Sequence, residues 1–311
     1  MRMRKSTSTD HEPWPQRTQP QSVRYLPPVS TFLDQLYSEE LMLSVELRPP
    51  RADLSPQESI DTWMSMHSTV RRLSRRNVPL FITDGAVGTA EEENLHHLVN
   101  NLDQELSREL LCPFLTTKHT LEYCSWFSAR ADEIGCTALT VLGGDKNVGA
   151  PRCVPHGYLL RQQIRERFPD LALGGWANPH RDPERQVSYL RDPSFCANFY
   201  LTQIVSHHHL PAIDGFLAAL ERQDVSLPGV WGVFFYRSAN LRTLQRLSQF
   251  MSVPIEELRA EFAEGLRPAQ ICARSIAALQ ARGVRNIYVS NLHPDRAPRQ
   301  LRAIQSALAA L

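Results

Sequence analysis

No apolar run in the 311 residues is long enough to cross a bilayer as a helix. The first 28 residues contain no hydrophobic stretch of the kind a secretory leader needs. Charge is nearly balanced, with 34 Lys and Arg against 33 Asp and Glu, for a net charge of +1. That balance argues against nucleic acid or an anionic membrane as the main partner. None of the six cysteines (Cys112, Cys124, Cys136, Cys153, Cys196, Cys272) belongs to a C-x-x-C pair. They read as reduced thiols of a cytoplasmic protein. There is no G-x-G-x-x-G after the first strand-like run, no phosphate-binding G-x-x-x-x-G-K-[ST] loop and no G-x-S-x-G elbow. These absences weigh against a doubly wound dinucleotide fold, a P-loop nucleotidase and a serine hydrolase.

What is present is alternation. Residues 1–28 are rich in Ser, Thr, Pro, Gln and charge and show no periodicity, so they are expected to be a disordered tail. From residue 29 to 311 a single domain is expected. Short apolar runs at 43–47, 80–83, 112–116, 138–142, 171–176, 199–205, 229–235 and 286–290 are each followed by a helical pattern. Eight such units in a chain close to the ~250-residue size of a barrel core predict a (β/α)8 barrel. Ser55-Pro56-Gln57-Glu58 is a capping box with proline at the first helical position. It opens a helix whose core face is read as Ile60, Trp63, Met64, His67, Val70 and Leu73, with His67 at the core's edge. An additional helix is expected at about 254–265, and a last one with Leu301, Ile304, Leu308 and Leu311 on one face.

In a barrel the chemistry sits where strands end. Polar groups stand at almost every one of those positions: Glu46, Thr83 with Asp84, Thr116 with Lys118 and His119, Asp145, Asn178 with His180, Gln203, and Ser290 with Asn291. Glu46 interrupts an apolar strand, and burial there raises a carboxyl's pKa, which suits a general acid. The run T-V-L-G-G-D ends in Gly143-Gly144-Asp145, two glycines that permit a sharp turn and close approach before an acid. Gln203, an amide in a β-branched run, can donate and accept at once. His207-His208-His209 invites a metal reading, but on an extended segment consecutive side chains point to alternating sides. No metal site is therefore expected.

Together these motifs resemble the methylenetetrahydrofolate reductase family, over residues 44–292. S-V-E-L-R-P-P looks like that family's S-F-E-F-F-P-P, I-T-D-G-A like V-T-Y-G-A, and L-G-G-D like L-R-G-D. G-W-A-N-P-H looks like A-Y-P-E-V-H, and L-T-Q-I-V like I-T-Q-F-F. The resemblance implies a cytoplasmic flavin-containing TIM barrel of one-carbon metabolism that reduces 5,10-methylenetetrahydrofolate to 5-methyltetrahydrofolate. It assigns Glu46 and Asp145 to catalysis, and Asp145, Gln203 and Phe234 to the folate. Thr83, Gly144, Asp145, Trp176, His180, Arg185 and Arg191 fall to the flavin side. FAD and NADH or NADPH are the implied cofactors, a folate and a nicotinamide nucleotide the implied partners, with homo-oligomerisation left open.

Three departures from the family pattern lie on the flavin side. Gly143 stands in place of the Arg of R-G-D, and Phe114 in place of a flavin-contacting His. Arg185 and Asp192 stand where the family has an Asp and a Lys. The substrate side is closer to the pattern. A flavin-independent folate enzyme of one-carbon transfer, or a non-catalytic folate-binding barrel, is the competing reading.

Overall fold

In the computed structural model, residues 31–84, 107–144 and 149–311 are described. The eight strands are β1 (Met42–Leu47), β2 (Leu80–Ile82), β3 (Leu111–Thr116), β4 (Ala138–Leu142), β5 (Ala172–Ala177), β6 (Phe199–Thr202), β7 (Gly229–Phe234) and β8 (Asn286–Ser290). Each pairs in parallel with the next, and β8 pairs with β1, closing the barrel. The (β/α)8 expectation holds. The described helices are α1 (Phe32–Leu36), α2 (Pro56–Ser74), α3 (Leu121–Glu133), α4 (Gly157–Arg167), α5 (Pro183–Arg191), α6 (Leu210–Arg222), α7 (Leu241–Leu247), α8 (Ile255–Ala263), α9 (Pro268–Gln280) and α10 (Ala297–Leu308). The helix expected near 254–265 is α8.

Alternation along each strand sorts the residues into two cores. Val45, Leu47, Leu80, Ile82, Leu139, Val141, Leu173, Trp231, Val233, Ile287 and Val289 face outward and pack with the helices. Met42, Phe81, Cys112, Phe114, Ala138, Ala172, Phe199, Leu201, Val230 and Tyr288 face inward and fill the barrel. Inside, large residues need small neighbours. A Cβ on Gly232 would lie 2.5 Å from Cζ of Tyr288, so a glycine there lets the tyrosine ring cross the barrel. Its hydroxyl donates to the Thr202 carbonyl on β6 at 2.8 Å.

Two helical faces differ from the expectation. In α2 the capping box forms between Ser55 and Glu58, but the buried face is Ser59, Trp63, Met66, Val70 and Leu73. Ile60 and Met64 are 54% and 65% exposed. Both groupings fit a 3.6-residue period, and the strand surface beneath selects between them. In α10 Leu301 and Ile304 are buried, whereas Leu311 lies beyond the helix and is exposed.

Residues 1–28, expected as a tail, lie outside the described residues. Just after them, α1 closes the amino-terminal end of the barrel. Phe32 and Leu36 are buried in the inward-facing core, and Phe32 meets Phe81 and Phe199 edge-on at 5.6 and 5.2 Å. The Leu36 carbonyl accepts from Asn286 of β8. Thr31 and Asp34 form a reciprocal capping box that fixes this five-residue helix. Phe32→Ala should therefore cost about 3–5 kcal/mol, the usual range for a buried aromatic. A shift of the urea midpoint at unchanged slope is the expected readout, and a midpoint like that of the parent would show that α1 is not part of the barrel's core.

Candidate functional site

The inward register continues to the carboxyl-terminal ends of the strands. Glu46 extends the Met42, Ser44 series of β1, Thr83 follows Phe81, and Gln203 follows Phe199 and Leu201. Trp176, Phe234 and Ser290 hold the same parity on β5, β7 and β8. Gly144 does so beyond β4. Residues predicted from Glu46, Thr83, Gly144, Trp176, Gln203 and Phe234 are thus gathered at one mouth. Asp145 lies outside the described residues.

Glu46 is half-buried and accepts a hydrogen bond from Ser290 Oγ at 2.6 Å. Tyr288 sits one inward position deeper on β8. Burial, and then the Glu46 carboxylate, push its phenol well above the ordinary value, so it stays a neutral donor to Thr202. Gln203 is half-buried. Its Oε1 accepts from the Ile204 amide at 2.9 Å and its Nε2 donates to the Phe250 carbonyl at 3.4 Å. Trp176 is 36% exposed, unusual for an inward-facing residue and suited to a planar ligand.

A carboxylate–imidazole pair stands beside these groups, and sequence reasoning noted its members without pairing them. Asp84 accepts from the Thr116 amide at 2.7 Å and from its hydroxyl at 3.1 Å. Nε2 of His119 lies 2.7 Å from Asp84 Oδ1, with Tyr123 tilted over the imidazole at 4.4 Å. In the sequence the two residues stand just beyond the ends of β2 and β3. Adjacent parallel strands bring such groups together, which is the signal that would have found the pair.

On the flavin side the outcome divides. The positive φ of Gly144 (66°) is a turn that only glycine adopts easily. Gly143 has no side chain, and Arg152 lies against it: a Cβ there would be 3.0 Å from the guanidinium carbon. Arg152 donates to the carbonyls of Gly144 and Pro155, while its buried Nε has no acceptor among the described residues. A guanidinium therefore stands next to the backbone position where the family pattern has arginine. Phe114 is buried in the barrel and meets Phe81 edge-on at 5.9 Å, a packing role in place of a polar contact. His180 donates Nε2 to the Ile204 carbonyl at 2.7 Å and meets the His209 ring at 4.6 Å.

The two α5 arginines stand on the helix that follows β5. Arg185 is exposed and donates to the Tyr189 hydroxyl one turn along the helix. Arg191 closes α5, about 9 Å further along the helix than Arg185 at 1.5 Å per residue. Asp192 caps the short 3-10 turn Pro193–Phe195, accepting from the Ser194 amide, and that bond holds its carboxyl below the ordinary value.

The histidine triplet corrects a premise. His207–His209 is a 3-10 turn capped by Ser206, not an extended segment. His207 and His208 lie side by side, their rings 3.9 Å apart, and both reach Glu261 of α8. Burial raises the Glu261 carboxyl, but hydrogen bonds from His208 and Arg274 outweigh it and leave the group below its ordinary value. Burial and the neighbouring His180 bring His209 down to about 4.

No protein-family model matches the chain, and no curated protein does. Among solved structures, an uncharacterised protein from Clostridium thermocellum that binds two copies of 5-methyl-5,6,7,8-tetrahydrofolic acid is similar in fold. The TM-score is 0.62 at 14% identity, covering 90% of this chain and 98% of that one. Leishmania donovani UMP synthase aligns with a TM-score of 0.47 at 12% identity, covering 90% of this chain and 56% of that one.

The packing of Arg152 on Gly143 yields a measurable coupling. Gly143→Ala should displace the guanidinium, and Arg152→Ala should remove it. In a double-mutant cycle the alanine at 143 should be nearly neutral once Arg152 is gone, giving a coupling of about 0.5–3 kcal/mol. Additive urea-unfolding costs would show that the two residues do not press on one another.

Proposed function

We propose that the chain is a folate-dependent oxidoreductase of the methylenetetrahydrofolate reductase kind. It would reduce 5,10-methylenetetrahydrofolate to 5-methyltetrahydrofolate with hydride drawn from NADH or NADPH. The observation that carries this reading is Glu46: a half-buried carboxyl on the inward face of β1, held by Ser290, in a mouth with an exposed Trp176 plane and the Gln203 amide. The similar barrel from Clostridium thermocellum, which binds a methylated tetrahydrofolate, supports a folate as the ligand.

In this reading Glu46 delivers a proton to the departing nitrogen of the methylene bridge. The carbon–nitrogen bond breaks and leaves an iminium carbon that accepts hydride to become the methyl group. Ser290 holds one carboxyl oxygen, so the group turns a fixed face to the substrate. Gln203 offers a donor and an acceptor to the pterin edge, and Phe234 offers apolar contact. Asp145, next in sequence after Gly144, accepts from the paired pterin N–H and amino groups, as a carboxylate does in bidentate recognition.

FAD fits the ring side of this mouth. When bound, it supplies acceptance of hydride from the nicotinamide and its return to the folate. Thr83, Gly144, Trp176 and His180 would hold the ring. Arg152, whose guanidinium lies at the Gly143–Gly144 turn, would join Arg181, Arg185 and Arg191 as a cation for the pyrophosphate.

Purified protein should be yellow and should oxidise NADH or NADPH when methylenetetrahydrofolate is added. Glu46→Gln should lower turnover by roughly 10²- to 10⁴-fold, with folate affinity little changed. Gln203→Ala should weaken folate binding and leave nicotinamide oxidation by other acceptors intact. A colourless protein that binds methyltetrahydrofolate but oxidises neither nucleotide would sink the oxidoreductase reading in favour of one-carbon transfer. Absence of folate binding by calorimetry would sink both.

A further inference from the structure

Outside the mouth, three side chains converge in a way the folate reading does not use. His207 and His208 stand on the 3-10 turn that follows β6, and Glu261 stands on α8, more than fifty residues later. Nε2 of His207 is 3.0 Å from one Glu261 oxygen, and Nε2 of His208 is 3.1 Å from the other. The three residues offer ligand atoms that all lie within 4.8 Å of one another. A tetrahedral zinc ion, roughly 2.0–2.2 Å from nitrogen and oxygen ligands, needs donors about 3.3–3.5 Å apart. Each nitrogen–oxygen separation is within a few tenths of an ångström of such an edge, with the two histidines meeting different oxygens of the one carboxylate.

The surroundings have the form of an outer shell. Ser275 Oγ lies 2.9 Å from His207 Nδ1, so that nitrogen can carry the ring proton and leave the Nε2 lone pair for an ion. Arg274, the neighbouring residue on α9, donates to Glu261 Oε1 at 2.9 Å. Glu261 itself is 6% exposed, and Arg274 is the cation that balances this buried acid. His209, the third histidine, is engaged elsewhere: its nitrogens face Ser206 and Ser252. The turn therefore presents two histidines, not three.

We propose that His207, His208 and Glu261 bind one first-row divalent metal ion, with zinc the best fit and solvent as the fourth ligand. Two imidazoles and one carboxylate are a borderline-soft donor set that favours zinc over magnesium or calcium. The ion fastens α8, which lies in the long β7–β8 connection, to the turn at the end of β6. It is a structural clamp, and it does not rest on the folate reading.

The test uses the full chain without an added histidine tag, stripped with chelator and titrated separately with Zn²⁺ and Co²⁺. One equivalent should bind. Co²⁺ should give the intense visible bands of a four-coordinate site, and Zn²⁺ should raise the melting temperature. Ser275→Ala should weaken binding by roughly 10- to 100-fold, the usual effect of an outer-shell partner. His208→Ala and Glu261→Gln should abolish binding, whereas His209→Ala should keep the stoichiometry. The proposal is overturned if the wild-type chain shows no saturable one-to-one binding of either ion, a result independent of whether any variant folds. It is overturned equally if binding survives in both His208→Ala and Glu261→Gln.

Discussion

The mouth of this barrel depends on one side chain that crosses its interior. Tyr288 reaches from β8 over Gly232 of β7 and gives its hydroxyl to the Thr202 carbonyl of β6. Toward the amino-terminal end the filling is aromatic: Tyr288 meets Phe81, Phe81 meets Phe32 and Phe114, and Phe32 meets Phe199, all edge-on. Toward the other end the next inward residue of β8 is Ser290, already bonded to Glu46. A phenol this deeply buried does not ionise, so its hydrogen bond to a backbone carbonyl persists across the working pH range. The barrel is packed with aromatic rings on one side of the tyrosine and carries the Glu46–Ser290 pair on the other. A carboxyl can be placed at the polar end because the core does not have to accommodate it.

Much of this was legible in the sequence because barrel strands carry two signals at once. Their apolar runs mark position, and the parity of the first polar residue after each run marks direction. That is why Glu46, Thr83, Trp176 and Gln203 were found separately and prove to share a face. Features that depend on two distant segments were not legible in the same way. The Asp84–His119 pair needs the adjacency of β2 and β3, and the α2 face needs the strands beneath it, since Ile60 and Met64 fit the same helical period as Ser59 and Met66. The histidine triplet misled for a local reason. Its geometry follows from the Ser206 cap, which turns the backbone into a 3-10 helix and sets His207 and His208 beside one another instead of on opposite sides.

Gly143 shows how a missing residue can be misread. Taken alone, glycine in place of arginine removes a cation from the end of β4. Yet Arg152, nine residues later, lies with its guanidinium against that glycine and bonds the adjoining Gly144 carbonyl. A guanidinium thus stands at the end of β4, carried by the loop that follows the strand. A Cβ at 143 would sit 3.0 Å from the guanidinium carbon, so Arg152 would have to give way to it. Asp192 follows the same logic in reverse: an acid where a cation was expected is taken up by capping the 193–195 turn.

The connection between β7 and β8 is the longest departure from simple strand–helix alternation among the described residues, and it is tied to β6 at several points. The Phe250 carbonyl accepts from Gln203, Ser252 meets His209, and Glu261 meets His207 and His208. Apolar packing alone would let α7 and α8 slide, because Leu244, Leu258 and Ile271 form a small cluster of their own beside the main core. The polar contacts have fixed geometry and remove that freedom. All of them lie within seven residues of β6, from Gln203 to His209, and that strand also receives the Tyr288 hydroxyl at Thr202. The β6 end is therefore the point where the interior brace, the Gln203 amide and the outer helices meet.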